Sequence, residues 1–399
     1  MIHVVLSRQV DFPQIAADVA ADRAPTHVLL ELARQTAVTF HTLEQPPYQL
    51  GFSNGRQGSA AGAIVEQITV GTTAPSVTHI DTLRSKLISR PPLWALARHA
   101  AAFAASDDTL FATGEDVGVP LAVACAGRRK SPPPRLVVTA HNINRPRARI
   151  AFRFFDTLSH VSAWLAPSPV QAAYLRSLGV PDEMVSVPPE QTDTRFFTPA
   201  FAPQTYPSAW GAPDRSRRPL IVSVGLEQRD YRTLAAATAD MDVDVKISGF
   251  SRDAVALSSA LPATLPPNMS RQFYEWPDLR ELYRQANLVV VPLFPNRYVA
   301  GVNAMLEGLA VEKPVIITRT EGMGAYLEPP DAHGEICLPV PPQNPAALRS
   351  AIEHLLHTPT TARQLALQGR QWLLAHHTPQ DWVRAIMDAL VAAPQHSEL

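Results

Sequence analysis

Cysteine is almost missing from this chain of 399 residues: Cys125 and Cys337 are the only two, and they stand far apart. A disulfide framework or a zinc site needs several closely spaced thiols or a Cys/His cluster, so both are excluded. Two buried, small apolar side chains in a reducing compartment are the expectation. Lysine is scarce too, with only Lys86, Lys130, Lys246 and Lys313, and the charges nearly cancel at 35 basic against 36 acidic residues. With a net charge of -1 no chain-wide field attracts nucleic acid or an anionic surface, and any such affinity has to be local. Long apolar runs are absent: nowhere do 18 apolar residues follow one another, and MIHVVLSRQVDF carries no basic stretch leading into a long apolar one. That pattern places the protein in the cytoplasm, with the inner face of a membrane as the one further option. No short-period repeat and no low-complexity tract occurs.

What the chain does have is alternation. Short β-branched runs separated by helical patterns are the mark of buried parallel strands. Such runs fall at 2–7, 37–43, 109–114, 135–141, 163–168 and 185–189, and again at 219–226, 243–249, 270–276, 288–293, 314–319 and 336–340. Helical stretches lie between several of them, notably 92–105, 147–159 and 169–178, and the last sixty residues read as almost wholly helical. At this length one hydrophobic core stops growing and two domains are expected. Residues 201–218, rich in proline, small residues and charge, read as the linker. The fold class expected is therefore α/β, with two doubly wound Rossmann-like domains, 1–200 and 219–378, facing each other across a cleft, and a C-terminal helix at 379–399. In such sheets ligands sit at the carboxyl ends of the strands.

One stretch concentrates the chemistry. In YVAGVNAMLEGLAVEKPVIIT, residues 298–318, a glycine loop leads into a short helix with one acid and then a strand. Gly301 lets the backbone approach a ligand, Asn303 can cap the helix, and the first free N–H groups suit a phosphate. Glu307, one turn in, can accept hydrogen bonds from two neighbouring ribose hydroxyls. An acid merely favoured near a helix N-terminus is the plainer alternative.

GVNAMLEGLAVEKPVIIT resembles the glycine-loop, Glu-Ala-Met-Ala-x-Gly-x-Pro-Val segment of the family-4-like glycosyltransferases (glycosyl transferases group 1) of GT-B fold. VSVGLEQRDYRTLAAA is similar to the strand, glycine turn and basic residue that open that family's donor domain. YEWPDLRELYRQANLVVVP looks like its nucleobase segment, RLVVTAHN like its acceptor-domain strand ending in histidine, and RQLALQGRQWLLAHHTPQDWVRAIMDAL like its closing helices, the last crossing back to the first domain. The resemblance runs from about 135 to 390 and is weak before 105. It implies that a nucleotide-sugar donor is bound, with Glu307 on the ribose and the amides of Gly301, Val302 and Asn303 on the diphosphate. It also implies transfer with retention to an acceptor hydroxyl of a carbohydrate, lipid-linked, protein or small-molecule acceptor. No metal and no cofactor is implied. Two departures stand out: Val299 occupies the place of a second glutamate that touches the donor sugar, and Glu312 that of the usual glycine after the helix.

Around this core other residues are candidates. Arg229, in the turn after Gly225, can clamp a pyrophosphate; pairing with Asp230 or Glu227 on the surface is the alternative. His141, at the end of its strand, can bond the donor sugar or the attacking hydroxyl, or be structural. Glu115 faces the presumed acceptor side together with Asn142 and Arg145, although an acidic helix start explains Glu115 and Asp116 equally well. Trp276, with Tyr274, can pack against a base or simply fill the core. The spaced aspartates of DMDVDVK read as a solvated turn. In NINRPRARIAFRFF a helix with Arg147, Arg149 and Arg153 outward and Ile150, Phe154 and Phe155 inward explains most of the pattern, and peripheral contact with an anionic surface is the other reading. A nucleotide-sugar epimerase of the same fold and a non-catalytic nucleotide-sugar binder are the rival functions.

Overall fold

The computed structural model describes the chain apart from residues 54–63, 129–131, 142, 144–149, 151, 200–217, 251–256, 258, 330, 333 and 393–399. Nearly all of the expected linker, and both Asn142 and Arg145, lie outside the described residues. The chain divides into two units. The first comprises Met1–Ala21, Thr26–Pro189 and the segment from Trp382 onward, and the second Asp22–Pro25 and Glu190–Asp381.

The first unit is built on an eight-stranded sheet of order β4-β3-β2-β1-β5-β6-β7-β8. Its strands are β1 (Ile2–Val5), β2 (Val38–His41), β3 (Tyr48–Ser53), β4 (Ile64–Thr69), β5 (Thr109–Ala112), β6 (Arg135–Thr139), β7 (Ala163–Leu165) and β8 (Val185–Ser186). Six of these run parallel, while β3 pairs antiparallel with both β2 and β4. The helices are α1 (Phe12–Ala20), α2 (Val28–Gln35), α3 (His79–Arg84), α4 (Pro91–Phe103), α5 (Glu115–Ala126) and α6 (Pro169–Ser177).

Successive strand residues point to opposite faces, so both faces need cover. Leu110 and Ala112 of β5 pack with α4 and α5, whereas Phe111 between them packs with Phe12, Leu30 and Leu32. Val383, Ile386, Ala389 and Leu390 of the C-terminal helix (Pro379–Ala392) join this second cluster. Both cysteines are buried and free, as expected.

The ribbon β3–β4 is a departure from the sequence reading, which registers no strand there. YQLGFS alternates apolar with polar or small residues, IVEQIT sets Glu66 and Gln67 between Val65 and Ile68, and the continuous apolar runs sought for parallel strands are lacking.

The second unit has six strands, all parallel, in the order β11-β10-β9-β12-β13-β14. In chain order they are β9 (Leu220–Val224), β10 (Asp244–Ser248), β11 (Met269–Arg271), β12 (Leu288–Val291), β13 (Val315–Thr318) and β14 (Leu338–Val340). The order 3-2-1-4-5-6 is that of a doubly wound dinucleotide-type sheet, and the strand order reverses between β9 and β12. The helices are α7 (Tyr231–Thr238), α8 (Trp276–Gln285), α9 (Val302–Ala310), α10 (Gly324–Leu327), α11 (Pro345–His357) and α12 (Pro359–His376). Val289, Val291, Val315 and Ile317 face α9 and α12; Leu288, Val290 and Ile316 face α7 and α11.

The run at 270–276 is mostly not strand. β11 stops at Arg271, and Trp276 opens α8, because Pro277 in the first turn suits a helix start and cannot continue a ladder.

Candidate active site

Two loops meet where the order of the second sheet reverses. The turn after β9 is held to the loop after β12 by a bridge between Arg229 and Leu293, with the Asp230 amide donating to Pro292 O at 3.0 Å. Gly225 has φ +98°, and a Cβ there would stand 2.4 Å from the Arg229 guanidinium, so only glycine admits this arginine. Arg229 is buried and donates through Nε to Val224 O and through NH1 to Glu227 O, each at 2.9 Å. It makes no ion pair with Asp230 or Glu227. Asp230 instead caps α7 through the Thr233 amide, and Glu227 accepts from the Tyr298 hydroxyl at 2.9 Å. A guanidinium held by carbonyls keeps its full positive charge for an incoming anion.

The second loop ends in Gly301, which has φ +94° and is itself the N-cap of α9, without a side-chain cap. Asn303 therefore does not cap. It is exposed in the first turn, because the left-handed Gly301 already turns the chain into the helix. The Val302 amide donates to Val299 O at 3.3 Å, which leaves the first-turn amides of Asn303 and Ala304 directed out of the helix end. Val299 is half-buried and packs against the core beneath.

Glu307 is only partly exposed. Its Oε2 accepts from the Tyr283 hydroxyl of α8 at 2.7 Å. Desolvation pushes its carboxyl up to about 7, against the opposing pull of the Tyr283 hydrogen bond and the Arg229 charge. The structure thus gathers Gly225, Arg229, Gly301, Val302, Asn303 and Glu307 at one edge of one sheet. Trp276 lies on the same unit at the start of α8, 42 % exposed and in edge contact with Phe197.

Tyr283 is the residue that the sequence reading misses. Leu279, Leu282 and Tyr283 share the inward face of α8, and nothing in that spacing separates a tyrosine with a carboxylate partner from a core aromatic. Gly322 is missed as well: a Cβ there would lie 2.1 Å from Tyr298 O, so the loop after β13 presses its backbone against the loop after β12.

In the first unit, His141 and Glu115 come together at the carboxyl ends of β5 and β6. The His141 amide donates to Glu115 Oε2 at 3.0 Å, and its Nε2 lies 3.0 Å from Thr113 O. Glu115 is the first residue of α5, behind Gly114 as N-cap. The aspartates of DMDVDVK make surface ion pairs, Asp242 with Arg218 at 2.6 Å and Asp240 with Arg349. Ile150 and Phe154 point outward, 60 % and 68 % exposed, contrary to the expectation that they face in. Phe152 takes the inward position against Trp164, and helical spacing turns residues two before and two after it away from the core.

Residues 228–358 match the family described as Glycosyl transferases group 1. No protein of curated function matches. Among solved structures, sucrose-phosphate synthase from Thermosynechococcus elongatus aligns at TM-score 0.64 and 17 % identity over 97 % of each chain. HepE of Anabaena in complex with UDP-glucose aligns at TM-score 0.64 and 13 % identity, over 98 % of this chain and 99 % of that one. The alpha,alpha-trehalose 6-phosphate synthase from Burkholderia multivorans aligns at TM-score 0.62 and 13 % identity, over 98 % and 96 %. The matched family segment begins in the Arg229 turn and spans Gly301 and Glu307. The chain has the GT-B fold, and the part of it that is similar to the group 1 glycosyl transferases lies in its second unit.

Proposed function

We propose that the protein transfers a sugar, with retention, from a nucleoside-diphosphate sugar to an acceptor hydroxyl. The observation that carries this reading is the meeting of Arg229, the first-turn amides of α9 and Glu307 at the point where the strand order of the second sheet reverses. A diphosphate suits the amides and the guanidinium, because both are positive and already oriented before the ligand arrives. Glu307 suits a ribose, since an ionised carboxylate accepts from two hydroxyls at once. As the bond to the leaving diphosphate breaks, negative charge grows on its oxygens, and Arg229 and the helix N-terminus stabilise it without a covalent intermediate. UDP-glucose, held by the HepE structure, is the first donor to try.

Val299 favours a second reading, a relative that binds the donor without turnover, because it offers no carboxylate to the sugar. A panel of nucleotide sugars separates the readings. Release of nucleoside diphosphate supports the transferase, an isomerised sugar an epimerase, and thermal stabilisation without product a binder. Glu307→Ala is the control, and unchanged affinity for the nucleoside diphosphate in that variant sinks the ribose assignment.

A further inference from the structure

Glu227 is an exposed acid in the turn after β9, held in place by a neutral group. Arg229 NH1 donates to its carbonyl at 2.9 Å, so its carboxylate stands one side chain's length from the guanidinium. Among the described residues that carboxylate has one side-chain partner, the Tyr298 hydroxyl at 2.9 Å. Glu321, the acid in the loop after β13, is different: Arg297 engages it through Nε at 3.1 Å and through NH2 at 2.9 Å.

Both ends of the Tyr298–Glu227 contact are fixed. The Tyr298 ring packs against the core of the second unit, its amide donates to Asn296 Oδ1 at 3.2 Å, and its carbonyl accepts from the Ala300 amide at 2.8 Å with Gly322 pressed against it. On the other side Gln228 has φ +53°, and its carbonyl accepts from the Phe294 amide at 2.9 Å. A residue with a Cβ keeps a left-handed backbone where its surroundings over-determine it, and such positions cluster at ligand sites. An ordinary surface glutamate, by contrast, keeps its rotamer freedom.

The Tyr298 hydroxyl uses only part of the capacity of an ionised carboxylate, which has about four acceptor sites. A sugar on a diphosphate that lies against Arg229 and the first-turn amides of α9 brings its hydroxyls into this neighbourhood. Val299, next to Tyr298 in the chain, offers them no polar atom.

We propose that Glu227, positioned by Tyr298, binds hydroxyls of the donor sugar and so fills the role that Val299 leaves open. The inference rests on the donor reading. Calorimetric titration of the full chain with UDP, ADP and GDP, each against UDP-glucose, ADP-glucose and GDP-mannose in turn, tests both. For the pair that the parent binds, the ratio of nucleotide-sugar to nucleoside-diphosphate affinity should fall about 10- to 100-fold in Glu227→Gln, the span for hydrogen bonds to a charged group. The bare diphosphate should bind that variant no less tightly, because an anion near the guanidinium has been removed. Tyr298→Phe should lower the same ratio by less, and the double variant should be no worse than Glu227→Gln alone, since the tyrosine acts through the glutamate. An unchanged ratio in Glu227→Gln, or equal weakening of both probes, overturns the proposal and leaves the donor reading standing. Failure of the parent to bind any of the three nucleoside diphosphates sinks the donor reading, and this inference with it.

Discussion

At the scale of single residues, Glu307 shows how a common side chain becomes a specific one. Burial raises its carboxyl to about 7 while Tyr283 and Arg229 pull it back, so it is poised to ionise as ribose hydroxyls arrive. Tyr283→Phe removes the hydrogen bond that lowers it, and the carboxyl then titrates higher still. Nucleoside-diphosphate affinity should fall about tenfold at pH 7, or 1.4 kcal/mol. The pH at which affinity is half lost should also move upward, a displacement in calorimetric titrations that a purely structural tyrosine would not cause. Arg229→Ala should weaken diphosphate binding by about 1.5–3 kcal/mol, the range for a hydrogen bond to a charged group, measured against the parent in the same titration. His141→Ala should leave that affinity alone and lower turnover; equal turnover would return His141, with its bond to Thr113 O, to a structural part.

At the scale of elements, the end of α9 departs from the family pattern in a way that the backbone makes concrete. Glu312 has φ +58°, a left-handed conformation held by a residue with a Cβ. The strain costs about 1 kcal/mol, and a glycine relieves it. Glu312→Gly should therefore raise the stability of the second unit by up to about 1 kcal/mol in urea unfolding, less whatever its 3.8 Å approach to Arg370 contributes. Sequence reading serves long, regular elements well: every expected strand run contains a strand, since buried parallel strands announce themselves as β-branched clusters. It serves α3 badly, because an apolar residue in a short helix carries no sign of whether it faces a core or solvent.

At the scale of the whole molecule, the first unit carries a pH liability. His3 Nδ1 and His41 Nε2 are 3.0 Å apart, His3 Nε2 lies 3.0 Å from Asp108, and His99 and Phe103 pack against His41. Burial, with His3 and His99 nearby, drives His41 from its ordinary 6.5 to about 3, and burial lowers His3 and His99 as well. Between those two values the unfolded chain binds more protons than the folded one, so stability is full above pH 6.5 and is lost as the pH falls toward 3. Calorimetry should show the first unit's transition moving to lower temperature across that window, and His41→Gln should flatten the slope; equal slopes would refute the assignment. The amino-acid order alone carried the fold class, the alternation of the two sheets, and the glycine loop with Glu307, because these are local patterns of periodicity and backbone freedom. Only the tertiary structure joined Tyr283 to Glu307 across 24 positions, freed Arg229 from its acidic neighbours, gathered three histidines, and turned Asp81 inward and Ile80 outward. Those outcomes depend on which faces meet, and facing is a property of packing that sequence distance does not encode.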